Sequence, residues 1–357
     1  MSMKTIRRRI VSSALTIATL LAGGYAASAA EITVMGYFGP FENNYVKAVI
    51  EPFMKGHPDI KVTYFGVLNA AASLGNLRAQ KAAPQVDAVI FDLSVAKVAR
   101  EEGLLANVDA ARISNYADLA EIGKDLGGYA MPLTYDTLTL IYNRDAFPKT
   151  PTSWEALWDA NQSGKVIIPA GGGADIQAVL LTLIANRLAG ENDYRKTIEP
   201  GIKKLVQLAP AVQTWEPKPD AYTLVGNGTG TISIGYNARS QFYTDQTEGR
   251  LQSVGPVEGT ASQINVISAV EKAPEPDATA TFINYALSPE AQGAFAKMMF
   301  YAPTNTKTEL DDATRKRIPL TDPEQRNKLI AVDWMTIGAM RESLQQPWRR
   351  RIIPAGR

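Results

Sequence analysis

The sequence predicts an α/β protein with a mainly parallel sheet, on three observations. Short apolar strands alternate with amphipathic helices through most of the chain, the pattern of βαβ units. Val86-Asp-Ala-Val-Ile-Phe91 is a near-continuous apolar run of the kind buried on both faces of a parallel sheet. The chain, at 357 residues, is long enough for two ordinary domains.

The elements follow in order. Lys4, Arg7, Arg8 and Arg9 precede an apolar stretch from Ile10 to Ala22, and Ala27-Ser28-Ala29-Ala30 offers small residues for cleavage. This reads as a secretory signal peptide over residues 1–30, cut near Ala29–Glu31. It is shorter than the ~20 apolar residues of a membrane span. Glu31 to Gly36 is a first strand, followed by an aromatic loop at Tyr37 and Phe38. Val46, Val49, Ile50 and Phe53 recur at helical spacing up to Gly56-His-Pro58. Ile60 to Phe65 is a second strand, Leu74 to Ala82 a helix and Val86 to Phe91 a third strand. Asp92-Leu-Ser94 then opens a helix over Val95 to Glu102.

Ligands in such sheets sit beyond the carboxyl ends of strands. That rule singles out Tyr37 and Phe38, and Asp92 with Ser94; the same residues also suit a core cap and a helix N-cap. Leu133 to Asn143, rich in Thr, Leu, Ile and Tyr, is a further strand. Thr152-Ser153-x-Glu155 is a capping box before Trp154 to Trp158. Val166 to Pro169 is a strand, and Gly171-Gly-Gly173 leads through Asp175 into an apolar helix, Ile176 to Leu188. The glycines suit either a tight turn or an anion cradle, but neither a P-loop nor a dinucleotide fingerprint is present. A helix over Tyr194 to Leu208 buries Ile198, Ile202, Leu205 and Leu208. Thr231 to Tyr236 and Gln263 to Ala269 are strands, and helices cover Ala278 to Ala286 and Ser288 to Met299.

Composition narrows the function. Charge is balanced, 37 Lys+Arg against 36 Asp+Glu, so no nucleic-acid partner is expected. Cysteine is absent, which excludes disulfides, thiolate metal sites and cysteine nucleophiles. His57 is the single histidine and sits in a Gly-His-Pro turn, leaving little for a catalytic triad or a zinc site. We expect no catalytic residues, no metal and no cofactor. Arg239 stands out. It lies in the first turn of a helix, against the unfavourable end of the dipole. It therefore calls for a partner carboxylate or an anionic ligand.

Several segments together carry a resemblance. They are Tyr135-Asp-Thr-Leu-Thr-Leu-Ile-Tyr-Asn-Arg-Asp-Ala-Phe147, Ser153-Trp-Glu-Ala-Leu-Trp158, Gly164-Lys-Val-Ile-Ile-Pro169 and Ile232-Ser-Ile-Gly-Tyr-Asn237. Ala280-Thr-Phe-Ile-Asn-Tyr-Ala-Leu-Ser-Pro-Glu-Ala-Gln292 completes the set. From Ile32 to about Thr306 the chain resembles the periplasmic solute-binding proteins of bacterial ABC importers, in the branch of the polyamine binders. The resemblance implies a type II periplasmic-binding-protein fold, two lobes joined by two crossing strands with a ligand cleft between. The lobes would be 31–133 plus 264–302, and 134–263, with C-terminal helices in 303–357 packing on the first lobe. It implies a monomer in the periplasm that delivers a small-molecule solute to an inner-membrane ABC permease. Carried over by local match, the ligand residues would be Tyr37, Phe38, Asp92, Ser94, Gly173, Asp175, Tyr236, Asn237 and Arg239, with Tyr135, Asp136 and Ser262 at the crossings.

Polyamine binders bring Trp and Asp to the second crossing, where this chain has Ser262-Gln-Ile264. Iron(III) binders use adjacent tyrosines near Tyr236, and only one is present. Arg239 with an aspartate suits a zwitterion better: an amino acid, γ-aminobutyrate (GABA) or an opine-like conjugate. Polyamine or iron(III) binding, and more remotely a secreted hydrolase or lyase on the same scaffold, are the alternatives.

Overall fold

The computed structural model describes residues 29–121, 128–171 and 176–356. Nearly all of the predicted signal peptide lies outside that set, as do Gly173 and Asp175. Among the described residues ten strands are formed: β1 (Ala30–Tyr37), β2 (Ile60–Val67), β3 (Ala88–Asp92), β4 (Met131–Asn143), β5 (Val166–Ile167), β6 (Val212–Thr214), β7 (Ile232–Tyr236), β8 (Leu251–Val254), β9 (Ser262–Ala269) and β10 (Ala302–Pro303).

Their order is β2-β1-β3-β9-β4-β7-β5-β6, with β8 and β10 pairing on β4. The two wings are parallel, as the βαβ pattern requires: β1 pairs β2 and β3, and β5 pairs β6 and β7. The middle is not. β9 runs antiparallel to β3 and β4, and β4 antiparallel to β7. The sheet is therefore mixed rather than mainly parallel, because the two strands joining its wings run against their neighbours.

β4 changes partners along its length. Met131 to Thr137 pair with β9, while Leu138 to Tyr142 pair with β7 and Leu140 to Asn143 with β8. All thirteen of its residues are buried. The predicted first crossing is thus one continuous strand shared by both wings, and β9, the predicted second, lies alongside it.

Each wing is covered by helices. Ile32, Val34, Phe41, Phe53, Phe282 and Phe295 form one cluster around β1. Trp154, Leu180, Ile184, Leu205 and Trp348 belong to another, centred on the Ile176–Leu188 helix. That helix meets the Glu199–Leu208 helix so closely that a Cβ on Gly201 would stand 2.7 Å from the Asn186 nitrogen and 2.8 Å from the Thr182 carbonyl. Only glycine fits there.

The C-terminal part packs more widely than the sequence suggests. The Trp334–Pro347 helix reaches the Leu93–Glu101 helix, where Gly338 faces Lys97. It also reaches the Ile176–Leu188 helix. Trp348 is wholly buried, crosses Trp215 edge-on, and donates from Nε1 to Thr182 Oγ1 at 2.9 Å. Arg351 pairs with Glu199. The reason is chemical: the apolar Trp348 and Ile352 are buried in the same core cluster as Leu180 and Leu205. Thr182→Val keeps the volume but leaves the Trp348 indole N–H buried without an acceptor. We expect a loss of about 1–3 kcal/mol in urea unfolding; a loss under about 0.5 kcal/mol would show the bond to be dispensable.

Candidate functional site

The carboxyl ends of β1, β3 and β7 open on one cavity, of about 200 Å³. This is where parallel strands feeding helices expose helix N-termini and loops. β1 contributes Tyr37, the loop after β2 contributes Leu68 to Ala71, and β3 contributes Asp92. From the other wing come Gly171, Ile176, Gln177, Tyr236 and Arg239. The floor is the crossing pair, with Asp136 on β4 and Gln263 and Asn265 on β9, and Tyr301 closes one side.

Local structure explains several of these placements. Asp92 is the N-cap of the Leu93–Glu101 helix. Its Oδ1 accepts from Val95 N at 3.2 Å and from the Ser94 hydroxyl. Its Oδ2 makes no hydrogen bond among the described residues. Asn69 likewise caps the Ala70–Ala79 helix, accepting from Ala72 N at 2.9 Å. Asn265 Oδ1 receives both the Tyr37 hydroxyl, at 3.2 Å, and Gln263 Nε2, at 3.1 Å, while its amide donates to Thr134 Oγ1 at 3.0 Å. This ties the floor to the first wing.

Asp136 has another task. It is 4% exposed and accepts from Thr137 N at 2.8 Å and from Ala238 N at 3.1 Å, so it sits on the N-terminus of the Asn237–Gln246 helix. Burial pushes its carboxyl up to about 7, against the pull of those N–H donors and of the Arg239 charge. The helix dipole favours the ionised form. Desolvation outweighs it.

Arg239 lies one residue beyond Ala238 and faces the cavity. Among the described residues it makes no ion pair and no hydrogen bond. Burial opposes its charge, yet the phenols of Tyr222, Tyr301 and Tyr243, with Asp220, hold its pKa above the ordinary value. A guanidinium carries five N–H donors in a fixed fork, and none is matched here. Its charge is offset by those neighbours, but its donors have no partner among the described residues. The site therefore presents an open seat for an anion.

Of the residues read from sequence, Tyr37, Asp92, Asp136, Tyr236 and Arg239 line this cavity. Five others do not. Phe38 is 50% exposed and outside the lining. Ser94 is buried and serves Asp92. Asn237 gives its amide to the Arg317 carbonyl at 2.9 Å. Tyr135 and Ser262 line a different cavity, of about 510 Å³, between the crossing strands and the C-terminal segment. Side chains alternate along a strand. With Asp136 and Gln263 facing one way, Tyr135 and Ser262 must face the other. Gly173 and Asp175 lie outside the described residues. Sequence reasoning missed Asn69, Gln177, Gln263, Asn265 and Tyr301. Asn69 follows a strand end and the same loop rule would have found it. Gln177, in the first turn of the helix after the glycine-rich turn, was within reach of it too; Gln263, Asn265 and Tyr301 are placed by long-range packing that no local signal carries.

With this geometry in hand, comparison with known proteins becomes informative. The family model described as bacterial extracellular solute-binding protein matches residues 48–320. The GABA-binding protein of Pseudomonas aeruginosa is 24% identical over 347 residues, covering 91% of this chain and 92% of that one. The spermidine/putrescine-binding periplasmic protein of Escherichia coli is 24% identical over 299 residues, 82% of this chain and 83% of its own. An ABC transporter substrate-binding protein from Bradyrhizobium japonicum superposes with a TM-score of 0.78 at 18% identity, over 90% of this chain and 98% of that one, a likeness of fold.

Proposed function

The chain belongs to the family of bacterial extracellular solute-binding proteins, and on that premise we propose that it captures a small zwitterion in the periplasm for an inner-membrane ABC permease. The observation that carries the reading is Arg239, a cleft guanidinium with no carboxylate at ion-pair distance and no hydrogen bond among the described residues. A ligand carboxylate would take its fork. The ligand's ammonium would meet Asp92 Oδ2 and the side-chain Oε1 of Gln263, which accepts no hydrogen bond among the described residues. Tyr37, Tyr236 and Tyr301 would flank the carbon skeleton.

The volume supports a small solute. About 200 Å³ lies below the ~300–1,000 Å³ of drug-sized sites. An ω-amino acid such as GABA, the ligand named for the Pseudomonas relative, combines both charges in that size. A polyamine would set one of its ammoniums against Arg239, and in a desolvated cleft that repulsion is expensive. The lobes would be 31–133 plus 264–302, and 134–263, hinged on β4 and β9. Export would follow from the signal segment, and the protein would act as a monomer.

The test is calorimetry on mature protein freed of bound solute by unfolding and refolding. GABA and other ω-amino acids are expected to bind, and at 100 times Kd to add about 2.7 kcal/mol of stability. Putrescine and spermidine are expected to do neither. Binding of polyamines without binding of any amino acid would overturn the reading.

A further inference from the structure

Arg317 sits where three parts of the chain meet. Its Nε donates to Gln241 Oε1 at 3.0 Å and its Nη2 to the Gln241 carbonyl at 2.7 Å. Nη1 and Nη2 grip the Asp245 carboxylate at 3.0 and 2.9 Å. Its own carbonyl receives the Asn237 amide at 2.9 Å. Every one of these partners is on the Asn237–Gln246 helix, the helix whose first turn carries Arg239. A forked, charge-assisted grip of this kind fixes orientation as well as distance.

The flat face of the same guanidinium lies 3.8 Å over the ring of Phe300. Phe300 ends the Pro289–Met299 helix in the left-handed conformation, at φ 58°, a strained backbone for a bulky side chain. Such strain persists where surrounding contacts over-determine it, and it gathers at functional sites. The next residue, Tyr301, stands in the cavity wall, close enough to Asp136 and Arg239 for their charges to act on its phenol. The Phe300 turn belongs with the β1 wing, through Phe295 and Tyr301 packing on Phe41. The gripped helix follows β7 and packs on β8 of the other wing, and its Ala238 and Phe242 also meet the β1-wing cluster beside the Pro289–Met299 helix.

We propose that Arg317 is a positioning residue of the binding site, clasping the helix that carries Arg239 to the turn that carries Tyr301, one from each lobe. The clasp holds the two walls of the cleft at one separation and so favours the closed state before ligand arrives. It rests on the ligand reading for what the cleft holds, but its own geometry needs no ligand.

The experiment separates the two. The cysteine-free chain allows Lys55→Cys and Lys203→Cys, both on exposed residues, to carry a dye pair across the lobes. In Arg317→Ala, single-molecule energy transfer on ligand-free protein is expected to show the longer-distance population growing. GABA is expected to leave at least tenfold faster with little change in its association rate. Arg317→Lys keeps the charge and loses the fork, and should fall between. If Arg317→Ala does not fold, Asp245→Asn removes the bidentate partner and is read the same way. The proposal is overturned if distance distribution and dissociation rate match the parent while only thermal stability drops. Failure of GABA to bind the parent would overturn the ligand reading alone, and the ligand-free distances would still decide the clasp.

Discussion

Arg239→Ala is expected to abolish ligand capture while leaving the ligand-free protein close to the parent in stability. Truncating one partner of a buried charge pair costs about 2–5 kcal/mol of binding, a loss of roughly 30-fold to several thousand-fold. The stability sign is the informative part. Most buried substitutions destabilise by about 1 kcal/mol, because they remove contacts that only the native state makes. Arg239 makes no ion pair and no hydrogen bond among the described residues, and burial works against its charge. The phenols of Tyr222, Tyr301 and Tyr243, with Asp220, offset that burial, so removing it changes the stability of the empty protein little. Arg239→Lys should bind weakly, since an ammonium cannot present a planar fork. Calorimetry reads the first effect and urea unfolding the second. A variant that binds like the parent, or that unfolds several kcal/mol more easily, would count against the assignment.

The second large effect is a pH dependence owed to Asp136. Its folded carboxyl is pushed up to about 7 from an ordinary value of 3.8. Between those limits the native state holds a proton that the unfolded chain releases. Stability from this group is thus fully present below about pH 4 and is lost as pH rises through 7. At about 1.4 kcal/mol per pH unit the swing is on the order of 4 kcal/mol, an upper bound. Asp136→Asn cannot ionise, and its carbonyl oxygen can still accept from Thr137 and Ala238. Above pH 7 the variant should be the more stable protein. Exposed ion pairs such as Glu102 with Arg78 and Glu199 with Arg351 act in the opposite direction and at lower pH. The difference between parent and variant removes them. Parallel stability curves from pH 4 to 8 would refute the effect.

How far the sequence revealed all this depended on the range of each interaction. Strands and helices with clean periodicity, such as Ile176–Leu188 and β3, were legible almost to their ends. Arg239 was legible because a cation in the first turn of a helix is anomalous on local grounds. β4 was legible as a crossing, but which of its residues enter the cleft was not. Naming Tyr135 and Asp136 together overlooked that neighbours on a strand point apart. Gln263, Asn265 and Tyr301 carry no local mark. They reach the cavity through the antiparallel pairing of β9 with β4 and through the turn after the Pro289–Met299 helix.

β4 imposes a constraint on how this protein can diverge. Asp136 faces the smaller cavity and Tyr135 the larger one behind it, and Gln263 and Ser262 divide in the same way on β9. Substitutions at alternate positions can reshape the two cavities separately. A change of length cannot. Inserting or deleting one residue between Met131 and Asn143 would flip every side chain beyond it to the opposite face. Descendants of this sequence are free to rewrite the letters of that strand, and bound to preserve its count.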